Sequence, residues 1–269
     1  MASFQFLGFF LHSLYRQCLS QRVEEGRRAH SHRRLGTAKE VVFREQARDH
    51  AVELAEHFEA GWEYQRPVGY YYQAAVHAIH FSAPHEAVLL CRRALALLAT
   101  LPETAERLHH DLALQTTLGL ALTITQGPAA QEVAQSYRRA WELRHRVSTP
   151  IQDFSILHGL WGFHTHSGEF KMAEEFARQC VQEAAHLQDP SLAVAAHWML
   201  GSALHLHGWS APARVHLEQS LALSTPEVNA ALIPVVGQDV QIFTLSILAH
   251  VLARLGYVDQ GLERDWKSH

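Results

Sequence analysis

Apolar residues recur along this chain at intervals of three and four, as in Leu192, Ala195, Ala196, Met199, Leu200, Ala203 and Leu204. That spacing predicts helices with one apolar face. No run of alternating apolar and polar residues framed by turns demands a sheet, which leaves room for at most one short strand near residues 4–10. Between the apolar stretches the punctuation is regular. Thr149-Pro150, Asp189-Pro190 and Thr225-Pro226 each place a capping residue before a proline, which suits the first helical position because its missing N–H costs nothing there. Thr149 and Gln152 also have capping-box spacing. Gly168, Gly208 and Gly256 fall between these starts, each followed within two residues by an aromatic: Phe170, Trp209 and Tyr257. The pattern predicts that proline opens a pair of helices and glycine turns the chain inside it.

The period is measurable. Gly127, Gly168 and Gly208 are 41 and 40 residues apart, and Val133, Ala173 and Ala213 are 40 and 40 apart. Two helices repeated at that interval predict an all-α solenoid of antiparallel helix pairs. The oily opening, Phe4 to Leu19, does not fit a signal peptide: no charge precedes it and the first, Arg16, follows the run. His12, Ser13 and Gln17 interrupt it before it is long enough to span a membrane. Phe10, Leu14 and Cys18 sit at helical spacing, so the stretch is expected to be an amphipathic core segment with packing partners upstream.

Composition narrows the function. Of 269 residues, 48% are apolar and 19% charged, enough to bury a core and too apolar for global disorder. The net charge of −4 argues against nucleic acid as the main partner. Three scattered cysteines, Cys18, Cys91 and Cys180, have no metal spacing and fit a reducing cytoplasm. Residues 16–48 carry nine Arg or Lys against four Glu, read as a solvated helix or a face toward another module.

Leu200-Gly201, Leu204, Gly208, Ala213, Leu217, Ser220 and Pro226 resemble the tetratricopeptide repeat family, and Ala75, Ala78, Ala87, Cys91 and Ala94 match its spacing in an earlier unit. The units around Leu54-Ala55 and Phe58, and at Gly256-Tyr257, are more degenerate. RALALLATLPETAERLHHDLALQTTLGLALTITQG (93–127), GLWGFHTHSGEF (159–170) and GQDVQIFTLSILAHVLARLGYVDQGL (237–262) resemble the helical C-terminal region of large bacterial signalling ATPases, many of them fused to a class III adenylate or guanylate cyclase domain. FLHSLYRQCLSQRVEEGRRAHSHRRLG (10–36) resembles the end of a winged-helix-like module joining ATPase to repeats. The resemblance implies a winged-helix-like remnant over residues 1–45, a tetratricopeptide-like array over 46–269, and a fragment lacking the ATPase and cyclase and cut short at its C-terminus. It also implies that His12 occupies the place of a histidine that touches bound nucleotide in nucleotide-switch ATPases.

Catalytic motifs are missing. There is no G-x-x-x-x-G-K-[ST] phosphate loop, no G-x-S-x-G elbow and no dinucleotide glycine set. No cofactor is implied. The 21 histidines include His30-x-His32, His164-x-His166 and His205-x-His207, but i and i+2 diverge on a helix and H-E-x-x-H is absent, so no metal ligands are assigned. His164 and His205 have similar places one repeat apart, where stacking is expected. The aromatics Tyr70, Tyr71, Tyr72, Trp161 and Trp198 are read as core before ligand cage. The reading is a non-enzymatic scaffold or sensor region whose first helices line a groove for a protein or peptide partner, with an ATPase module at its N-terminal end. The repeat register assigns Tyr72, Thr116, His158, Thr165, His166, Trp198, Ser202 and His205 to that groove. The alternatives are a regulatory remnant that contacts nucleotide or an ATPase in trans, and a histidine-rich metal-binding protein.

Overall fold

A computed structural model describes residues 24–266; Phe4–Leu19, with His12, Cys18 and the expected short strand, lies outside them. Among the described residues the chain is helical throughout. Helix α1 is Glu25–Phe43, followed by a short 3-10 turn, Arg44–Arg48. Then come α2 (Ala51–Ala60), α3 (Gln65–His80), α4 (Pro84–Leu98), α5 (Ala105–Gln126), α6 (Gln131–Val147), α7 (Pro150–His166) and α8 (Phe170–Leu187). The series ends with α9 (Pro190–Leu206), α10 (Ser210–Leu223), α11 (Pro226–Val236), α12 (Val240–Arg254) and α13 (Val258–Trp266). Of the segment 1–45, the described part is α1 and the start of the 3-10 turn. Helix α1 packs on α2, where Gly36 lies against Phe58.

The helix starts behave as their sequences dictate. At α7, Gln152 N–H donates to Thr149 Oγ1 (3.4 Å) and Thr149 N–H to Gln152 Oε1 (3.0 Å), a complete capping box. Ser191 and Leu192 N–H donate to Asp189 Oδ1 at 2.8 and 3.2 Å, starting α9. Gly127, Gly168, Gly208 and Gly256 close the first helix of a pair with φ between +78° and +90°, a conformation that carries a strain for any side chain.

Helices α3/α4, α5/α6, α7/α8, α9/α10 and α12/α13 form successive hairpins, with each second helix packed on the next first helix. The first helices α3, α5, α7, α9 and α12 also pack side by side, making one continuous face. Small residues set the close approaches. A Cβ on Gly201 of α9 would stand 2.6 Å from Leu217 Cγ of α10, so the first helix of this pair (helix A) meets its second (helix B) there, as the repeat register predicts. Gly119 of α5 and Gly159 of α7 both close on the ring of Tyr137 from α6, seating a large side chain between two neighbouring units. Phe58, Tyr71, Leu112, Phe154, Met199 and Leu217 are fully buried along the stack.

One element corrects the expected punctuation. Thr225 caps α11, accepting from Val228 N–H at 3.3 Å, but α11 does not open the last pair. That pair begins at Val240, where Asp239 Oδ1 accepts from Gln241 and Ile242 N–H at 2.9 and 3.3 Å. Helix α10 packs directly on α12, so the ladder runs past α11.

Candidate functional site

Helix α11 leaves the ladder and lies on the helix-A face. It packs chiefly on α7, α9 and α12, each the first helix of a pair. A Cβ on Gly237, the residue that ends it with φ +76°, would stand 3.1 Å from Leu120 of α5, so its tip reaches a fourth first helix. Among its described side chains, Asn229, Leu232 and Val236 are buried, at i, i+3 and i+7, one stripe of a helix. Asn229 ties the base of α11 to its neighbours: Ser224 Oγ donates to Asn229 Oδ1 at 3.0 Å, and Asn229 Nδ2 donates to Gln241 Oε1 at 2.8 Å.

Six of the residues assigned to the groove from the repeat register fall on α7 and α9, the two helices that α11 crosses: His158, Thr165, His166, Trp198, Ser202 and His205. Trp161 joins them. Its ring meets Trp198 edge-on at 4.8 Å between centroids, and His158 lies 5.7 and 6.0 Å from the two indoles. Trp161 and Trp198 are at least nine-tenths buried, yet neither indole N–H has an acceptor among the described residues. His158 Nε2, Thr165 Oγ1 and His205 Nδ1 are likewise sealed from solvent without a hydrogen-bond partner among the described residues. An indole only donates, and a buried donor without an acceptor costs about 1–3 kcal/mol. Gly162, on the same helix as Trp161 and Thr165, has open space where its Cβ would be. Burial lowers the His158 pKa to about 4, so this ring is neutral near pH 7. Burial also lowers that of His205, helped by nearby Arg254 and His250.

The remaining candidates behave differently. Ser202 is buried and donates to Trp198 O at 2.7 Å, and Thr116 donates to Leu112 O at 2.8 Å, so both hydroxyl protons are held by their own helices. His166 is exposed and its Nδ1–H donates to Gly162 O at 2.8 Å. Tyr72 is half-buried on α3, away from the α7/α9 cluster. His164 turns toward α8, with Nδ1 2.5 Å from Glu169 Oε2 and its ring stacked on Phe176. Trp161 was legible only as core, because its pairing with Trp198 joins two repeats. Among the described residues, no group of three or more His, Cys, Asp or Glu is gathered closely enough to hold a metal ion. No described helix is long and apolar enough to cross a membrane.

Solved structures with this architecture are tetratricopeptide-like repeat proteins. One is a putative kinesin light chain of Podosopora anserina with nearly identical repeats, at 19% identity and TM-score 0.53, covering 74% of this chain and 91% of that one. Its Q17M variant aligns over the same shares at 19% identity and TM-score 0.54. MamA, at 14% identity and TM-score 0.49, is too distant to bear on the fold. No family model and no curated protein matches the sequence. The chain therefore has the fold of a tetratricopeptide-like α-solenoid.

Proposed function

We propose that this chain is a non-enzymatic scaffold that holds a protein partner on the helix-A face of α7 and α9. The observation that carries this reading is the cluster of buried polar atoms without partners, the indoles of Trp161 and Trp198 above all. A partner presenting carbonyl or carboxylate acceptors satisfies donors that the fold leaves open. The resemblance of residues 93–127, 159–170 and 237–262 to the helical region of signalling ATPases supports a finer version. In it the array regulates an ATPase module, with residues 1–45 as the junction, inside the cytoplasm.

The test places a photo-crosslinking residue at exposed His166, beside the cluster, or at exposed Leu89 on α4 as a control, in the full chain. Crosslinks made from 166 and not from 89, and lost when Trp198→Ala is added, are expected. Equal crosslinking from both positions, or none from 166, overturns the reading.

A further inference from the structure

We infer that α11 is a detachable resident of the helix-A face, and that the partner of this face is an amphipathic helix that takes its place. The inference rests on the scaffold reading and adds an occupant and a gate to it. Three observations support it. First, the ladder does not pass through α11: α10 packs on α12 as α8 packs on α9, so the stack stays continuous when α11 leaves. Second, α11 is held lightly. It has 11 residues, too few to be helical in water without docking, and among the described side chains its hold on the face is Asn229, Leu232 and Val236, with Val228 partly buried beside them. On its outer side Ile233 is half exposed. Third, it is a poor complement to what it covers, because the indole N–H groups of Trp161 and Trp198 and the hydroxyl of Thr165 remain without partners on the helices it crosses.

The stripe itself describes the partner. Anchors at i, i+3 and i+7 are the signature of a helix laid into a groove. A competing helix with the same stripe, and with side-chain acceptors placed against the indole N–H groups that α11 leaves unpaired, binds better than the resident does. The resident has the advantage of its tether: held at both ends by short connections, Ser224-Thr225 and Gly237–Asp239, it competes at an effective concentration of millimolar order. A weak helix is thereby kept in place against chance ligands and yields to a good one.

The probe is a labelled synthetic peptide of residues 224–238, the chain's own α11 with its caps. Its binding is measured by fluorescence anisotropy to the full chain and to the full chain carrying Leu232→Asp, which puts a charge on a fully buried anchor. Binding to Leu232→Asp at least 10-fold tighter than to the unmodified chain is expected. Amide exchange in the unmodified chain is expected to be at least 10-fold faster across 226–236 than across the core of α9. Leu232→Ala with Val236→Ala is the milder second variant. Equal peptide affinity for opened and unmodified chains overturns the gate and leaves the scaffold reading standing. Exchange in α11 as slow as in α9, or loss of the cooperative fold in both variants, shows that α11 is part of the core and also overturns it. A folded variant that binds no peptide does the same.

Discussion

Two glycines three residues apart on α7 separate what a sequence shows from what packing decides. Gly159 and Gly162 are the same residue in the same helix, yet a Cβ on Gly159 runs into the ring of Tyr137, whereas one on Gly162 meets nothing within 4 Å. Alanine at 162 removes the backbone entropy cost of glycine in a helix and is expected to stabilise by up to about 1 kcal/mol. Alanine at 159 must push Tyr137 off a site shared with Gly119, and overpacking of that kind costs about 1–3 kcal/mol. Urea midpoints for the two variants are expected to move in opposite directions; a shift of the same sign in both counts against the Tyr137 clamp. Gly201 was legible as a close approach because the repeat motif calls for a small residue there. The Tyr137 clamp was not, because it joins α5, α6 and α7 across two units and each unit alone shows only an unremarkable glycine.

At the scale of elements, helix starts and turns were readable because capping chemistry is local. Thr149, Asp189 and Thr225 cap helices, and Gly168, Gly208 and Gly256 take positive φ, as the spacing required. The role of Pro226 was not readable, since an inserted helix uses the same start signal as a repeat. The clue lay in the spacing: Gly208 to Gly256 is 48 residues, against 40 and 41 for the preceding intervals. A similar limit applied to the groove residues, whose register the repeat gives but whose cover by α11 it does not. The two caps flanking α11 test its standing in the fold. Asp239→Ala removes the cap of a ladder helix and is expected to lower global stability by about 1 kcal/mol. Thr225→Ala removes the same kind of cap from a helix beside the ladder. It is expected to speed amide exchange in 226–236 while leaving the urea midpoint within error of the parent. A Thr225→Ala midpoint as low as that of Asp239→Ala places α11 inside the cooperative unit.

For the molecule as a whole, the histidines set the response to acid. Burial lowers the pKa of His57, His110, His158, His197, His205 and His216 below the ordinary value of 6.5, reinforced at His197 by His216 and at His216 by Arg178. Four of these six lie on α7, α9 and α10, so acid acts first on the helix pairs beneath α11. A lowered histidine pKa means that the unfolded chain binds protons the folded chain refuses, so stability rises with pH. It is complete above about pH 6.5 and falls as pH drops below that. The contribution of His158 continues to fall until about pH 4, where the folded ring also takes a proton. A shift of that size is worth about 3 kcal/mol for His158 alone. Because each unit of a solenoid contacts only its neighbours, this loss need not unfold the whole stack in one step. Amide exchange at pH 7.5 and pH 5 is expected to show α7, α9 and α10 losing protection before α3 and α4, with α11 lost alongside them. His158→Gln removes the ring that pays most for protonation and is expected to flatten the stability curve between pH 6.5 and 4.5, where most carboxylates remain ionised. An unchanged slope in that variant would mean that His158 is hydrated and titrates normally, and with it the sealed, unpartnered character of the α7/α9 cluster would fall.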